Sequence, residues 1–183
     1  MPTPHRTHRL PDGGGPAATV STVRVEMTPV TAADHAELFA AFRDIVEAGE
    51  GFPQMSPITR SEFEDYWIDH ASAVLAARSD GELVGAYYLK PNYVGRAAHI
   101  ANAGYFVRAQ HRGAGIGRSL VEHSLVEARR LGFDAMMFNL VFASNPARAL
   151  YQRLGFAEVG VIPQAVDGEN AVICWRSLED IGA

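Results

Sequence analysis

The stretch Val107–Leu120, VRAQHRGAGIGRSL, constrains this chain more than any other. An extended apolar run ends there, glycines follow at positions 113, 115 and 117, and a helix-patterned segment begins at once. Glycine carries no Cβ, so the backbone N–H groups of such a turn can come close to a ligand. The first turn of a helix adds unpaired N–H groups and a positive dipole end, which together favour an anion such as a pyrophosphate. Arg112 and Arg118 flank the turn and can supply charge-assisted bonds. Two other phosphate motifs fit poorly. A dinucleotide fold needs G-x-G-x-x-G early in a parallel βαβ unit, and a P-loop needs a Gly-Lys-Ser/Thr end. Glycines alone would mark only a tight turn; the arginines and the helix start favour an anion cradle.

The rest of the chain surrounds this turn with alternating strands and helices. Residues 1–21 hold four prolines and three glycines with few large apolar side chains, so a disordered tail is expected, its His5 and His8 solvated. From Thr22, Val23, Val25 and Met27 alternate with polar residues, as in a half-buried strand. Thr31 opens a helix with Leu38, Phe39, Phe42, Ile45 and Val46 at helical spacing, closed by Gly49, Gly51 and Pro53. A second helix is expected over Thr59–His70. Its Phe63, Tyr66 and Trp67 read first as core, and its Glu62, Glu64, Asp65 and Asp69 as the solvated side. Strands are expected over Ala73–Ala77 and Leu83–Leu89 around a Ser79-Asp80-Gly81 turn. Tyr87 and Tyr88 there must face opposite ways. A turn at Pro91, Asn92 and Gly95 leads to the strand His99–Val107. Then come a helix over Gly117–Leu131, a strand over Ala135–Phe142, a helix over Ala147–Leu154, and strands over Ala157–Ile162 and Ala171–Trp175. That order belongs to the α+β class, a mixed sheet covered by helices.

Composition excludes several functions. At 183 residues there is room for one domain over 22–183 and little beyond the tail. Hydrophobic residues at 48% and charged residues at 20% are ordinary for a folded soluble protein. A net charge of −5 argues against a nucleic-acid partner. The single cysteine, Cys174, forbids an intramolecular disulfide. No apolar run approaches the roughly 20 residues that span a bilayer. The first 21 residues lack the apolar middle of a secretory signal. A cytoplasmic protein with no membrane partner is expected, and no metal-ligand pattern stands out.

With these residues in view, the chain resembles the Gcn5-related N-acetyltransferase superfamily. Arg112, Gly115 and Gly117 match its R/Q-x-x-G-x-G/A signature, and Ser144–Phe156, SNPARALYQRLGF, matches its second block with Tyr-x-x-x-Gly-Phe at the end. The resemblance covers roughly residues 22–178. It implies a central mixed, mostly antiparallel sheet of about six or seven strands flanked by about four helices. It also implies acetyl-CoA as cosubstrate, no metal, and a small-molecule amine as partner, with a homodimer left open. Phe106, Val107 and Arg108 would pair with the pantetheine arm. Arg112, Gly113, Ala114, Gly115, Ile116, Gly117 and Arg118 would hold the pyrophosphate. Asn145 and Tyr151 would complete the cofactor contacts, although the asparagine lies six residues before Tyr151, with Ser144 in the usual place. A narrower likeness joins Asn102-Ala103-Gly104-Tyr105 and Phe138–Phe142 to the proline-analogue N-acetyltransferases, whose two asparagines match Asn102 and Asn139.

The chemistry then follows from the residues. Acetyl transfer needs a neutral amine, a polarised thioester carbonyl and a proton for the departing thiolate. No glutamate lies between Arg96 and Val107, where many acetyltransferases carry a general base; His99 and Asn102 stand there instead. An asparagine cannot take a proton near neutrality but can orient substrate and stabilise an oxyanion, so Asn102 and Asn139 are the candidate positioning pair. Deprotonation would fall to water or to His99. Tyr151 is the candidate general acid. Two further readings stay open: a non-catalytic acyl-CoA-binding sensor, and acetylation of a protein or peptide amine.

Overall fold

The computed structural model describes residues 24–182. The tail expected over 1–21, and Val23 of the first strand, lie outside the described residues. The chain opens with β1 (Glu26–Pro29), and Val25 and Met27 pack against the core beneath it. Thr31 caps a short 3₁₀ turn in a capping box with Asp34, whose carboxylate accepts the Thr31 N–H at 2.8 Å. Helix α1 (His35–Glu47) follows directly. The helix expected over Thr59–His70 is instead α2 (Arg60–Glu64) continued by a π-helical turn over Asp65–Asp69. In that stretch Phe63 and Trp67 are fully buried, while Tyr66 reaches a cleft.

Strands β2 (Ala73–Ser79) and β3 (Glu82–Pro91) form a hairpin whose turn residues Asp80 and Gly81 both take positive φ, the geometry that matches strand twist. β4 (Ile100–Val107) runs into the glycine turn, and α3 (Ile116–Arg130) starts one residue before Gly117. β5 (Ala135–Phe142), α4 (Arg148–Arg153), β6 (Ala157–Val166) and β7 (Glu169–Ser177) complete the chain; the last two strands are longer than expected.

The seven strands of the described residues form one sheet in the order β1-β2-β3-β4-β5-β7-β6. Every neighbouring pair is antiparallel except β4 and β5, so the sheet is mixed and mostly antiparallel, as the resemblance implied. Tyr88 and Phe106 face one side with Phe42 of α1 and Trp67, and Tyr87 and Ala103 face the other with Leu120 of α3 and Tyr151 of α4. Both faces are therefore covered.

The parallel pair positions the site. β4 and β5 are in register only at Ile100–Ala135 and Ala101–Met136, after which they part. From Asn102 to Val107, β4 thus pairs with β3 on one edge and offers the other edge to the gap. Unpaired strand N–H and C=O groups demand partners; here they face the cleft.

Candidate active site

A cleft of about 1110 Å³ follows the split between β4 and β5. At one end lie Gly113, Gly115, Ile116 and Gly117; at the other lie Asn92, Asn102 and Asn139. Phe106, Val107, Arg112, Asn145 and Tyr151 line its course.

The glycine end has the shape of an anion cradle. Gly113 and Gly115 hold φ of +79° and +83°, and nothing lies within 4 Å of a Cβ built on either. L side chains rarely adopt such a backbone. Gly115 stands as N-cap of α3 without a side chain to satisfy the helix N–H groups. An anionic ligand would satisfy them, so these residues fit a pyrophosphate. Arg112 donates to the Val107 carbonyl through Nε at 3.3 Å and forms an ion pair with Glu50, from the segment after α1. That guanidinium holds the Glu50 carboxyl below its ordinary pKa. Arg118, Arg108 and Ala114 lie outside the cleft wall. Arg118 pairs with Glu122 at 2.8 Å, Arg108 reaches the Leu83 carbonyl at 3.4 Å, and Ala114 packs on the core.

The far end is a triangle of amides. Asn92 donates to Asn139 Oδ1 at 2.9 Å, Asn102 donates to Asn92 Oδ1 at 3.0 Å, and Asn139 donates to the same oxygen. Asn139 sits where the β5–β7 ladder slips between Phe138 and Val141, a bulge of the kind that re-aims a side chain. Among the described residues these bonds leave Asn102 Oδ1 free to accept, and amide N–H groups of Asn92, Asn102 and Asn139 free to donate. Asn92 was read from sequence only as a turn residue. His99 is exposed outside the cleft wall, its Nδ1 3.1 Å from the Arg96 carbonyl, so the structure does not bring it to the site.

Tyr151 projects from α4 between these ends, packed on Phe138 at 4.8 Å and Phe156 at 5.8 Å between ring centroids. Burial raises its phenol pKa, so the hydroxyl keeps its proton. Among the described residues that hydroxyl makes no hydrogen bond. Asn145 Oδ1 accepts the Ala147 N–H at 2.9 Å, which orders the entry to α4 and leaves its amide nitrogen toward the cleft. Ser144 presents its N–H to Glu169 at 2.6 Å. Of the helix aromatics only Tyr66 lines the cleft, and of the paired tyrosines only Tyr88. Among the described residues no cluster of His, Cys, Asp or Glu could hold a metal, and no helix is long and apolar enough to cross a membrane.

Known proteins are similar to this chain in sequence and fold. The chain is 38% identical over 137 residues to the N-acetyltransferase aca1 of Schizosaccharomyces pombe, covering 66% of each chain and so just under two thirds of that relative. It superposes on a GCN5-related N-acetyltransferase from Kribbella flavida with a TM-score of 0.78 at 30% identity, over 84% of this chain and 97% of that one. The Salmonella typhimurium protein yncA, solved with its cofactor acetyl-CoA, shares the fold at a TM-score of 0.73 and 19% identity, over 87% and 97% of the two chains. The acetyltransferase (GNAT) family model matches residues 36–156, from the start of α1 through the end of the Tyr151–Phe156 block, and the chain belongs to that family, whose acyl donor is acetyl-CoA.

Proposed function

We propose that this protein transfers the acetyl group of acetyl-CoA to the nitrogen of a small-molecule amine, with a cyclic imino acid of the proline-analogue kind as the first acceptor to test. The observation that carries the reading is the continuity of one cleft from the glycine cradle, past Tyr151, to the amide triangle.

Each end has a part in the transfer. The α3 N-terminus and Arg112 hold the pyrophosphate, and the open edge of β4 from Asn102 to Val107 pairs with the amide-bearing arm, so the thioester arrives beside Asn102. Asn102 Oδ1 accepts an N–H of the amine and turns its lone pair toward the carbonyl carbon. The free amide N–H groups of Asn92, Asn102 and Asn139 aim at the oxygen that gains charge. No residue at the triangle can take the amine proton, so water carries it away. Tyr151, held neutral by burial, donates its hydroxyl proton to the departing sulfur.

The test is coenzyme A thiol release from acetyl-CoA with cyclic imino acids, amino acids, polyamines, aminoglycosides and a lysine peptide. A cyclic imino acid is expected to be acetylated, and Asn102→Ala to lower kcat about a hundredfold, the usual cost of one oxyanion donor. Tyr151→Phe should lower kcat while leaving the KM for acetyl-CoA unchanged. Full turnover by both variants would remove these roles. Turnover confined to the lysine peptide would replace the small molecule with a protein acceptor.

A further inference from the structure

The chain contains a single lysine, Lys90, and the fold places it in the wall of the cleft. Register explains why. Lys90 pairs with Asn102 across the β3–β4 ladder, so the two side chains leave the same face of the sheet with Cβ atoms about 5 Å apart. The ammonium Nζ lies 4.5 Å from the Tyr66 ring centroid and 4.8 Å from that of Tyr88. Those rings meet edge to face at 5.5 Å, and the Tyr88 hydroxyl donates to that of Tyr66 at 3.1 Å. The cation thus rests on a fixed aromatic corner. Gly104 makes the corner possible: a Cβ there would stand 2.5 Å from the Tyr88 ring.

Among the described residues the ammonium has no ion-pair partner. Its hydrogen-bond partner is the Tyr66 carbonyl at 3.4 Å, which leaves two of its three N–H donors for a ligand. Partial burial lowers the pKa of Lys90. Asp65, which acts on it at longer range, stands 3.5 Å from His70 Nε2. Of the carboxylates of the cleft wall, Glu50 is committed to Arg112 and Glu169 to the Ser144 N–H, and Asp167, in the turn before β7, forms no ion pair with Lys90. A half-buried cation with spare donors is stabilised by an incoming anion more than a solvated one would be.

We propose that Lys90 is the specificity-determining residue of the acceptor site, pairing with a carboxylate of the substrate while Asn102 holds its amine. The acceptor is then an amino or imino acid rather than a polyamine, whose further positive charge Lys90 would repel, or a peptide lysine, which carries no carboxylate beside its amine. The proposal rests on the reading of the amide triangle as the acceptor site.

The experiment compares azetidine-2-carboxylate with its neutral carboxamide in the wild type, Lys90→Met and Lys90→Arg. The wild type should prefer the acid. Lys90→Met, which keeps the aromatic packing, should raise the KM for the acid about 10- to 100-fold, the range of a charge-assisted hydrogen bond. Its kcat, its KM for acetyl-CoA and its use of the carboxamide should stay near wild type, and Lys90→Arg should regain part of the preference. Equal use of acid and carboxamide by the wild type, or equal loss of both in Lys90→Met, would overturn the proposal. If neither compound is acetylated, the acceptor reading itself fails, and calorimetric titration of the acid into the coenzyme A complex still decides the matter. Binding lost in Lys90→Met supports the ion pair, and binding unchanged overturns it.

Discussion

Asn92 joins β4 and β5 beyond the point where their backbone pairing ends. Its Oδ1 accepts from both Asn102 and Asn139, so it fixes which atoms of those amides remain free. Asn92→Ala should leave the KM for acetyl-CoA unchanged and lower kcat about 10- to 100-fold, because unanchored amides no longer present one arrangement. Steady-state kinetics with the acceptor saturating would check this; an unchanged kcat would mean that the strands alone align the pair. Asn102 and Asn139 could be read from the sequence through the family resemblance, but Asn92 could not. An asparagine after a proline is ordinary turn chemistry, and that signal conceals any second task. Tyr66 was masked in a similar way. Phe63, Tyr66 and Trp67 share one helical stripe, and spacing cannot tell the ring that reaches the cleft from the two that fill the core. His99 shows the reverse: its chemistry suits a base, yet its place in the turn before β4 leaves it in solvent.

Among the elements, the turn into α3 separates two uses of glycine. Gly113 and Gly115 are demanded by backbone conformation, whereas Gly117 is helical and a Cβ there would meet only Val107 Cγ2, at 3.8 Å. Gly117→Ala should therefore keep or raise the melting temperature, since helix propensity adds up to about 1 kcal/mol of stability. If a ligand's phosphates approach this backbone, the same variant should raise the KM for acetyl-CoA about tenfold or more. Calorimetric unfolding and a KM measurement on one preparation would show both effects; an unaltered KM would mean that position 117 stays clear of the phosphates. The order of strands and helices was legible because each core-facing stripe keeps its period. The far ends were not. β6 is the sheet's outer strand and exposes Val159 and Val161 by 58% and 60%, so no alternation marks where it stops. The π-helical turn after α2 also escaped, since a widened turn leaves the helical spacing of apolar residues nearly unchanged.

At the scale of the whole molecule, the split sheet gives the reaction its pH dependence. The amide triangle holds no titrating group, and burial of Tyr151 keeps its proton in place. In Lys90→Met, where the cation that binds the carboxylate no longer titrates, kcat/KM should climb about tenfold per pH unit until the acceptor's own amine pKa is passed. Two acceptors of different basicity should move that inflection with them, and an inflection fixed near a histidine value would show that a protein base had been missed. The Arg112–Glu50 pair has a different consequence. A guanidinium already matched to a carboxylate offers an arriving pyrophosphate an exchange of partners, not an added one. If Arg112 holds the donor's pyrophosphate as proposed, affinity for the donor is a difference between two ion pairs, and Glu50 sits on the chain leading to Phe52 and Pro53 in the cleft wall. On the proposed reading, filling the phosphate end frees a tether of the wall and so couples the two substrates through a side chain that need touch neither of them.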